Sequence, residues 1–236
     1  MIEQPLLNQC DPMRILFIFL TSLLIGCTNP TTEGGFEPRR LAQSDTQLVL
    51  EQVRAEIDRE LDQLIEKLYK RNPKFLRASG QTLEQRQAQL RRAMFYQELN
   101  EKRGVDAIRQ AFRSDFSGDR VFSYVYGLAS MIDDSYDRKR AFYLLDRPSG
   151  KSIFNSARNI ETALYLLRSQ RDDRDELYLL ADGYQGKILN ASFAMLHGRL
   201  AAKQDLVADA LGDNEQRTLN MVARSIASTV FLPIGF

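Results

Sequence analysis

The stretch Asp119–Ile132, DRVFSYVYGLASMI, constrains this chain more than any other. Read at 3.6 residues per turn, it is apolar on almost every face. A helix that is apolar all round has no side to show to water, so it must be surrounded by other elements. Gly127, in its middle, would let a neighbouring backbone come close. The segment therefore predicts a buried central helix with a helical shell around it.

The rest of the chain supplies such a shell. Leu50, Val53, Ile57, Leu61, Leu64 and Leu68 keep a three-four spacing with charges between them, which is an amphipathic helix. Ser44 or Asp45 can cap it; Lys67, Lys70 and Arg71 suit its last turn, and Pro73 stops it. Thr82 and Gln85 form a capping box for a second helix carrying Leu83, Leu90 and Met94. A short helix is expected near Val105–Phe112, and a longer one over Ser152–Gln170 with Ile153, Ile160, Leu164 and Leu167 inward. Ala141–Asp146 suits helix or short strand equally. Glu176–Ala181 reads as a further turn, and Ile188–Leu200 and Glu215–Phe231 complete the set. FLPIGF, broken by Pro233 and Gly235, reads as a tail that docks on the body. No internal repeat is evident. The fold class is all-α: a single compact domain of six to eight helices over residues 44–236, behind a flexible tether.

The front of the chain is of another kind. Ile15–Gly26 is an apolar run too short to span a bilayer, which needs roughly 20 residues, but suited to a signal-peptide core. Met13 and Arg14 precede it as a minimal positive start, so residues 1–12, with Glu3 and Asp11, read as an extension upstream of the true start. Leu24, Ile25, Gly26 and Cys27 resemble the lipobox of the bacterial lipoproteins. That resemblance implies removal of residues 1–26 and acylation of Cys27, which ties the mature chain to a lipid bilayer. Thr28 after the cysteine, in place of Asp, implies the outer membrane, at its periplasmic face. Thr28–Gln43 is poor in apolar residues and reads as a linker, so residues 27–43 form the lipidated N-terminus and tether. Cys10 lies in the part expected to be removed, which leaves a mature chain of about 210 residues without an internal disulfide.

Several patterns touch on chemistry. Asp133, Asp134 and Asp137 read D-D-x-x-D, a spacing that resembles the Mg2+-holding motif of the all-α isoprenoid synthases. The chain is short for that family, and a second acidic motif at a comparable remove is lacking. The plainer reading is that these residues end the buried helix and cap the next one, with Asp137 in its first turn. Gly150–Ser152 matches half of a phosphate loop, but Leu145 stands where glycine is required. His197 is the sole histidine, too little for a zinc site, and reads as a satisfied core or surface residue. Glu161 and Glu176 are conceivable general acids for an envelope enzyme acting on peptidoglycan, with a solvated surface position as the ordinary alternative. No cofactor motif is present.

Charge is segregated along the chain although the total is only +1. Asp45–Glu66 carries seven acidic residues against Arg54 and Arg59. Lys70–Arg113 carries eleven basic residues against Glu84, Glu98, Glu101 and Asp106. Arginine binds carboxylate and phosphate through a two-pronged fork. Arg86, Arg91, Arg92, Arg109 and Arg113 are thus candidates for binding an anionic partner, either anionic lipid or peptidoglycan, or an envelope protein. The alternative is internal, the acidic helix neutralising the basic segment. Nucleic acid is not expected as a partner. The functional expectation is a binding, scaffold or assembly factor of the cell envelope, with a carboxylate-dependent envelope enzyme as the alternative.

Overall fold

In a computed structural model, the residues described are 45–92, 94–142, 148–184, 187–188, 191–211 and 231–234. All belong to one compact unit, Ala42–Phe236; Met1–Leu41, with the signal-peptide run, Cys27 and most of the tether, lies outside them. The expected helix Glu215–Phe231 also falls outside them, apart from Phe231 itself, as does most of Ala141–Asp146. Seven α-helices are described: α1 (Asp45–Arg71), α2 (Pro73–Ser79), α3 (Leu83–Leu90), α4 (Gly104–Gln110), α5 (Arg120–Ser135), α6 (Gly150–Ser169) and α7 (Ser192–Leu211). A 3-10 turn spans Gln97–Leu99. Two-residue strands, β1 (Gly183–Tyr184) and β2 (Lys187–Ile188), form a small antiparallel hairpin before α7. None of the described helices is long and apolar enough to cross a membrane.

The all-apolar segment is the central helix, α5. Fourteen of its sixteen residues are buried, and α1, α3, α4 and α6 all pack against it. The α4 contact is the closest. Ser123, Gly127 and Ser130 make a shallow notch on α5 into which the α4 backbone settles. Ser123 Oγ donates to Ala107 O at 2.8 Å, and Gly104 N donates to Ser130 Oγ at 2.8 Å. A Cβ at position 127 would lie 2.7 Å from the backbone nitrogen of Ile108 and 2.8 Å from Gly104 O.

α1 buries Leu50, Ile57, Leu61, Leu64 and Leu68 as its spacing predicts. Pro73 both ends α1 and opens α2, since it lacks the N–H that a helix interior would need. The Thr82–Gln85 capping box is formed in full, with Thr82 N to Gln85 Oε1 at 2.8 Å and Gln85 N to Thr82 Oγ1 at 3.2 Å. α3 nevertheless stops at Leu90, so Met94, expected on its inner face, stands exposed in the segment that follows.

Two further expectations need correction. Glu176–Ala181 is not a helical turn but an irregular strap with one bridge, Arg171 to Leu177. It is held down by Asn72, whose carboxamide donates to Leu180 O at 2.9 Å and accepts from Leu180 N at 2.8 Å. The helix expected over Ile188–Leu200 starts at Ser192, since Ile188 lies in β2, and runs to Leu211. Asp182 sets that start: its carboxylate accepts from Phe193 N at 2.8 Å and from Ala194 N at 3.1 Å. A buried carboxylate at a helix N-terminus satisfies donors that the helix itself cannot.

The notch at Gly127 generates a direct test. Gly127→Ala forces the α4 backbone off α5, and overpacking of this kind costs about 3 kcal/mol. Urea unfolding should show that loss with the cooperativity retained. A change below about 0.5 kcal/mol, typical of an uncrowded surface site, would mean that the helices are not so closely apposed.

Candidate functional site

The two ends of α5 are held by buried ion pairs. At the N-terminal end Asp119 caps the helix, accepting from Phe122 N at 2.9 Å, and also accepts from Tyr69 Oη at 2.7 Å. Arg86 approaches the same carboxylate at 3.3 Å and grips Glu98 with both prongs of its fork. Its side chain is fully buried, 4.2 Å from the Phe122 ring centroid. Burial pushes the Asp119 carboxyl up, against the opposing pull of the Phe122 N–H, Tyr69 and Arg86. At the C-terminal end Asp133 receives Arg54 and Arg140, each at 3.2 Å, and Arg54 lies 4.7 Å from the Tyr136 ring centroid. Burial pushes the Arg54 guanidinium down.

These pairs decide two readings of the sequence. Arg86 belongs to the interior, so it is withdrawn from any partner-binding surface. Asp133 and Asp134 do not cap a following helix; they lie in the last turn of α5, and the chain turns away through Asp137 and Arg138, both at positive φ. Carboxylates there face the negative end of the helix dipole, and the arginines offset that repulsion. Asp134 is shared by Arg103 at 3.1 Å and Arg138 at 2.7 Å. Asp137 is exposed, and among the described residues no three acidic, histidine or cysteine side chains gather as metal ligands.

His197 is an internal residue. Its ring lies fully buried between Tyr124 Oη, 2.7 Å from Nε2, and Phe193 O, 2.7 Å from Nδ1. A carbonyl can only accept, so Nδ1 carries the proton and Nε2 accepts from tyrosine. Burial pushes this imidazole down to about 4. Neither nitrogen is left for a substrate.

The five candidate arginines do not form one surface. Arg91 pairs with Asp62 of α1, and Arg113 takes Asp115 with both prongs. Arg92 is exposed. Arg109 lines a groove, a cavity of 500 Å3 shared with Arg103, Met131, Arg138 and the segment Phe231–Ile234. Arg103 and Arg138 join Arg109 through the fold: Arg103 precedes α4 and Arg138 follows α5. The three arginines line it beside the carboxylates they pair with, Arg103 and Arg138 on Asp134 and Arg109 on Asp106 at 3.7 Å, and Val105, Met131, Phe231 and Leu232 supply its apolar floor. The expected docking of the tail is realised in that floor, where Phe231 is buried beneath the Arg109 guanidinium, 5.2 Å from its ring centroid.

The acidic face of α1 is neutralised internally, but only in part by the basic segment that follows it. Asp58 pairs with Arg140, and Glu60 with Lys203 at 2.6 Å; Asp62 turns to Arg91, and Glu66 to Lys70 within the same helix.

A second cleft, of 530 Å3, is polar and lies between Phe75, Phe116 and the loop Asp172–Tyr178. Asp172, Asp173 and Glu176 line it together with Lys74, Arg120 and Arg174. The N–H groups of Glu176 and Arg174 hold the Asp172 carboxyl below its usual range. Glu176 is exposed, and Glu161, elsewhere on α6, is exposed and paired with Arg158 at 2.8 Å. Comparison with protein-family models, curated proteins and solved structures found no match.

The buried histidine predicts a pH dependence. Its folded pKa lies below its unfolded value, so the unfolded chain takes up a proton that the folded ring refuses. The stability due to the neutral ring is complete above about pH 6.5 and is lost as pH falls toward about 4, by up to about 3 kcal/mol. In His197→Gln, urea midpoints at pH 7 and pH 4.5 should differ by less than in the parent chain. An equal difference in both proteins would contradict this placement of the ring.

Proposed function

We propose that this chain is a lipid-anchored protein of the outer membrane, held by Cys27 on the periplasmic face and acting by binding. Its role would be that of a scaffold, an assembly factor or an accessory subunit of an envelope machine. The anchor rests on Leu24–Cys27 and on the apolar run before it. Several acyl chains, at about 0.8 kcal/mol per buried CH2, hold a protein on a bilayer where one chain does not.

The observation that carries the binding role is the groove beside α4. It combines an apolar floor, partly formed by the segment Phe231–Ile234, with three arginine side chains. Apolar contact area with a few placed charges is what a protein-recognition site requires. Anionic lipid or peptidoglycan could meet the same arginines.

An envelope enzyme acting on peptidoglycan or a lipid-linked diphosphate is the second reading, favoured by the carboxylates of the polar cleft. A general acid must keep its proton near neutral pH, which calls for burial. Asp172 is held in the opposite direction, and Glu176 is exposed. The binding role is therefore preferred.

Two measurements test the proposal. Radiolabelled palmitate should enter the parent chain and not Cys27→Ala; labelling that persists in the variant would refute the anchor. Crosslinking in intact cells, followed by mass spectrometry of the envelope fraction, should recover a protein partner. A muropeptide or lipid adduct in its place would reverse the order of the two readings.

A further inference from the structure

Arg120, the first residue of α5, is clamped along one edge. Its Nη1 donates to Ala111 O at 2.7 Å and to Arg113 O at 2.8 Å. Its guanidinium carbon lies 4.5 Å from the Tyr178 ring centroid and 5.7 Å from that of Phe116. Two carbonyls and two rings thus fix the plane of the group. The other edge, Nε with Nη2, is the pair of parallel donors that grips a carboxylate side-on. Among the described residues that edge has no hydrogen-bond partner, and no carboxylate comes within ion-pair distance of it. The side chain is half-buried and lines the 530 Å3 cleft together with Phe75, Phe116 and Tyr178.

A surface arginine without a partner is ordinary, because water serves it and a flexible side chain gains little by pairing. Arg120 differs on both counts. Burial pushes its guanidinium down, against the pull of Tyr178, Asp115 and Asp172, and its geometry is already fixed. A ligand that meets it therefore loses little side-chain entropy. The other charges around the cleft define the ligand further. Asp172 is engaged by the N–H groups of its own loop and by Arg174 at 3.6 Å. That leaves Lys74 and Arg120 with Asp173 and Glu176, and none of the four has an ion-pair partner among the described residues. A phosphate ester or diphosphate would add uncompensated negative charge beside the carboxylates of Asp172, Asp173 and Glu176. A ligand with one negative and one positive end meets a partner for each. Leu177 and the three rings supply apolar contact, and the cleft has the volume of a small-molecule site.

We propose that this cleft is a binding site for a zwitterionic amino acid or short peptide, its carboxylate held by the Nε–Nη2 edge of Arg120 and its ammonium by Asp173 and Glu176. The site is separate from the groove beside α4 and goes beyond the binding role assigned there. Its test needs neither membrane nor anchor, so failure of lipidation and failure of this site are seen separately.

The probe is dialanine, titrated into the full chain and followed by 15N NMR at the Arg120 Nε–H and at the amides of Ser117 and Tyr178. These resonances should shift and saturate in the millimolar range. Dialanine amide, which lacks the carboxylate, and N-acetyl-dialanine, which lacks the ammonium, should each bind at least about fivefold more weakly. This ligand series in the parent chain does not depend on any variant folding. Arg120→Lys keeps the charge and loses the fork, and should weaken dialanine by a similar factor. Asp173→Asn with Glu176→Gln, both at exposed positions, should weaken dialanine and leave N-acetyl-dialanine unchanged. Alanine binding as tightly as dialanine would make the ligand a free amino acid, and tighter binding of dialanine would make it a peptide with both ends free; either supports the site. Unmoved resonances at tens of millimolar dialanine would overturn the proposal. So would equal binding of the amide or acetyl form, or acetate or phosphate binding as tightly as dialanine.

Discussion

Everything in this fold is arranged around a helix with no wet face, and a helix of that kind must be told where to stop. Arginine–carboxylate pairs do this at both ends of α5. Arg86 joins Asp119 and Glu98 at one end; Arg54 and Arg140 meet Asp133 at the other. Buried pairs of this type add little net stability, because desolvation offsets their attraction. Losing one member costs much more, since the other is left charged and dry. The pairs therefore act chiefly on specificity. They allow one placement of the central helix and penalise any shift along its axis.

The groove follows from that placement. With α5 fixed, Ser123, Gly127 and Ser130 seat α4, and the seat fixes where Arg103 and Arg109 emerge. The last turn of α5 supplies Met131 and Asp134, and the left-handed turn after it brings Arg138 alongside. α6, on another side of α5, carries the two asparagines that hold Leu232 and Pro233. The same use of asparagine recurs where Asn72 holds Leu180. Among the described residues, carboxamides thus satisfy the backbone of irregular segments.

Local features of the fold were legible in the sequence. The capping box at Thr82–Gln85 is set within one turn and the inward stripe of α1 by its own periodicity, while Gly127 marked a close approach by lacking a side chain without revealing that α4 makes it. Features that join distant residues were not. Asp182 caps α7 from ten residues upstream, across a hairpin whose path the spacing does not reveal. Arg86 looked like part of a basic surface because a charge count cannot see Glu98 and Asp119 converge on it. Asp133 resembled a helix cap because its partners, Arg54 and Arg140, come from other elements. For the candidate groove, the basic surplus of Lys70–Arg113 contains Arg109 and Arg103, whereas Arg138 lies outside it. Asn155 and Asn159 carried no signal, since an asparagine inside a helix pattern is ordinarily a solvated residue.

Native-state hydrogen exchange, read residue by residue, tests most directly whether α5 organises the molecule. Amides of Val121–Ile132 should exchange only through global unfolding and respond to denaturant with the full unfolding slope. Those of α2 and of the strap Glu176–Ala181 should open locally at lower free energy. If α5 exchanged ahead of α6 and α7, through openings that denaturant does not promote, the central helix would not be what the rest of the fold depends on.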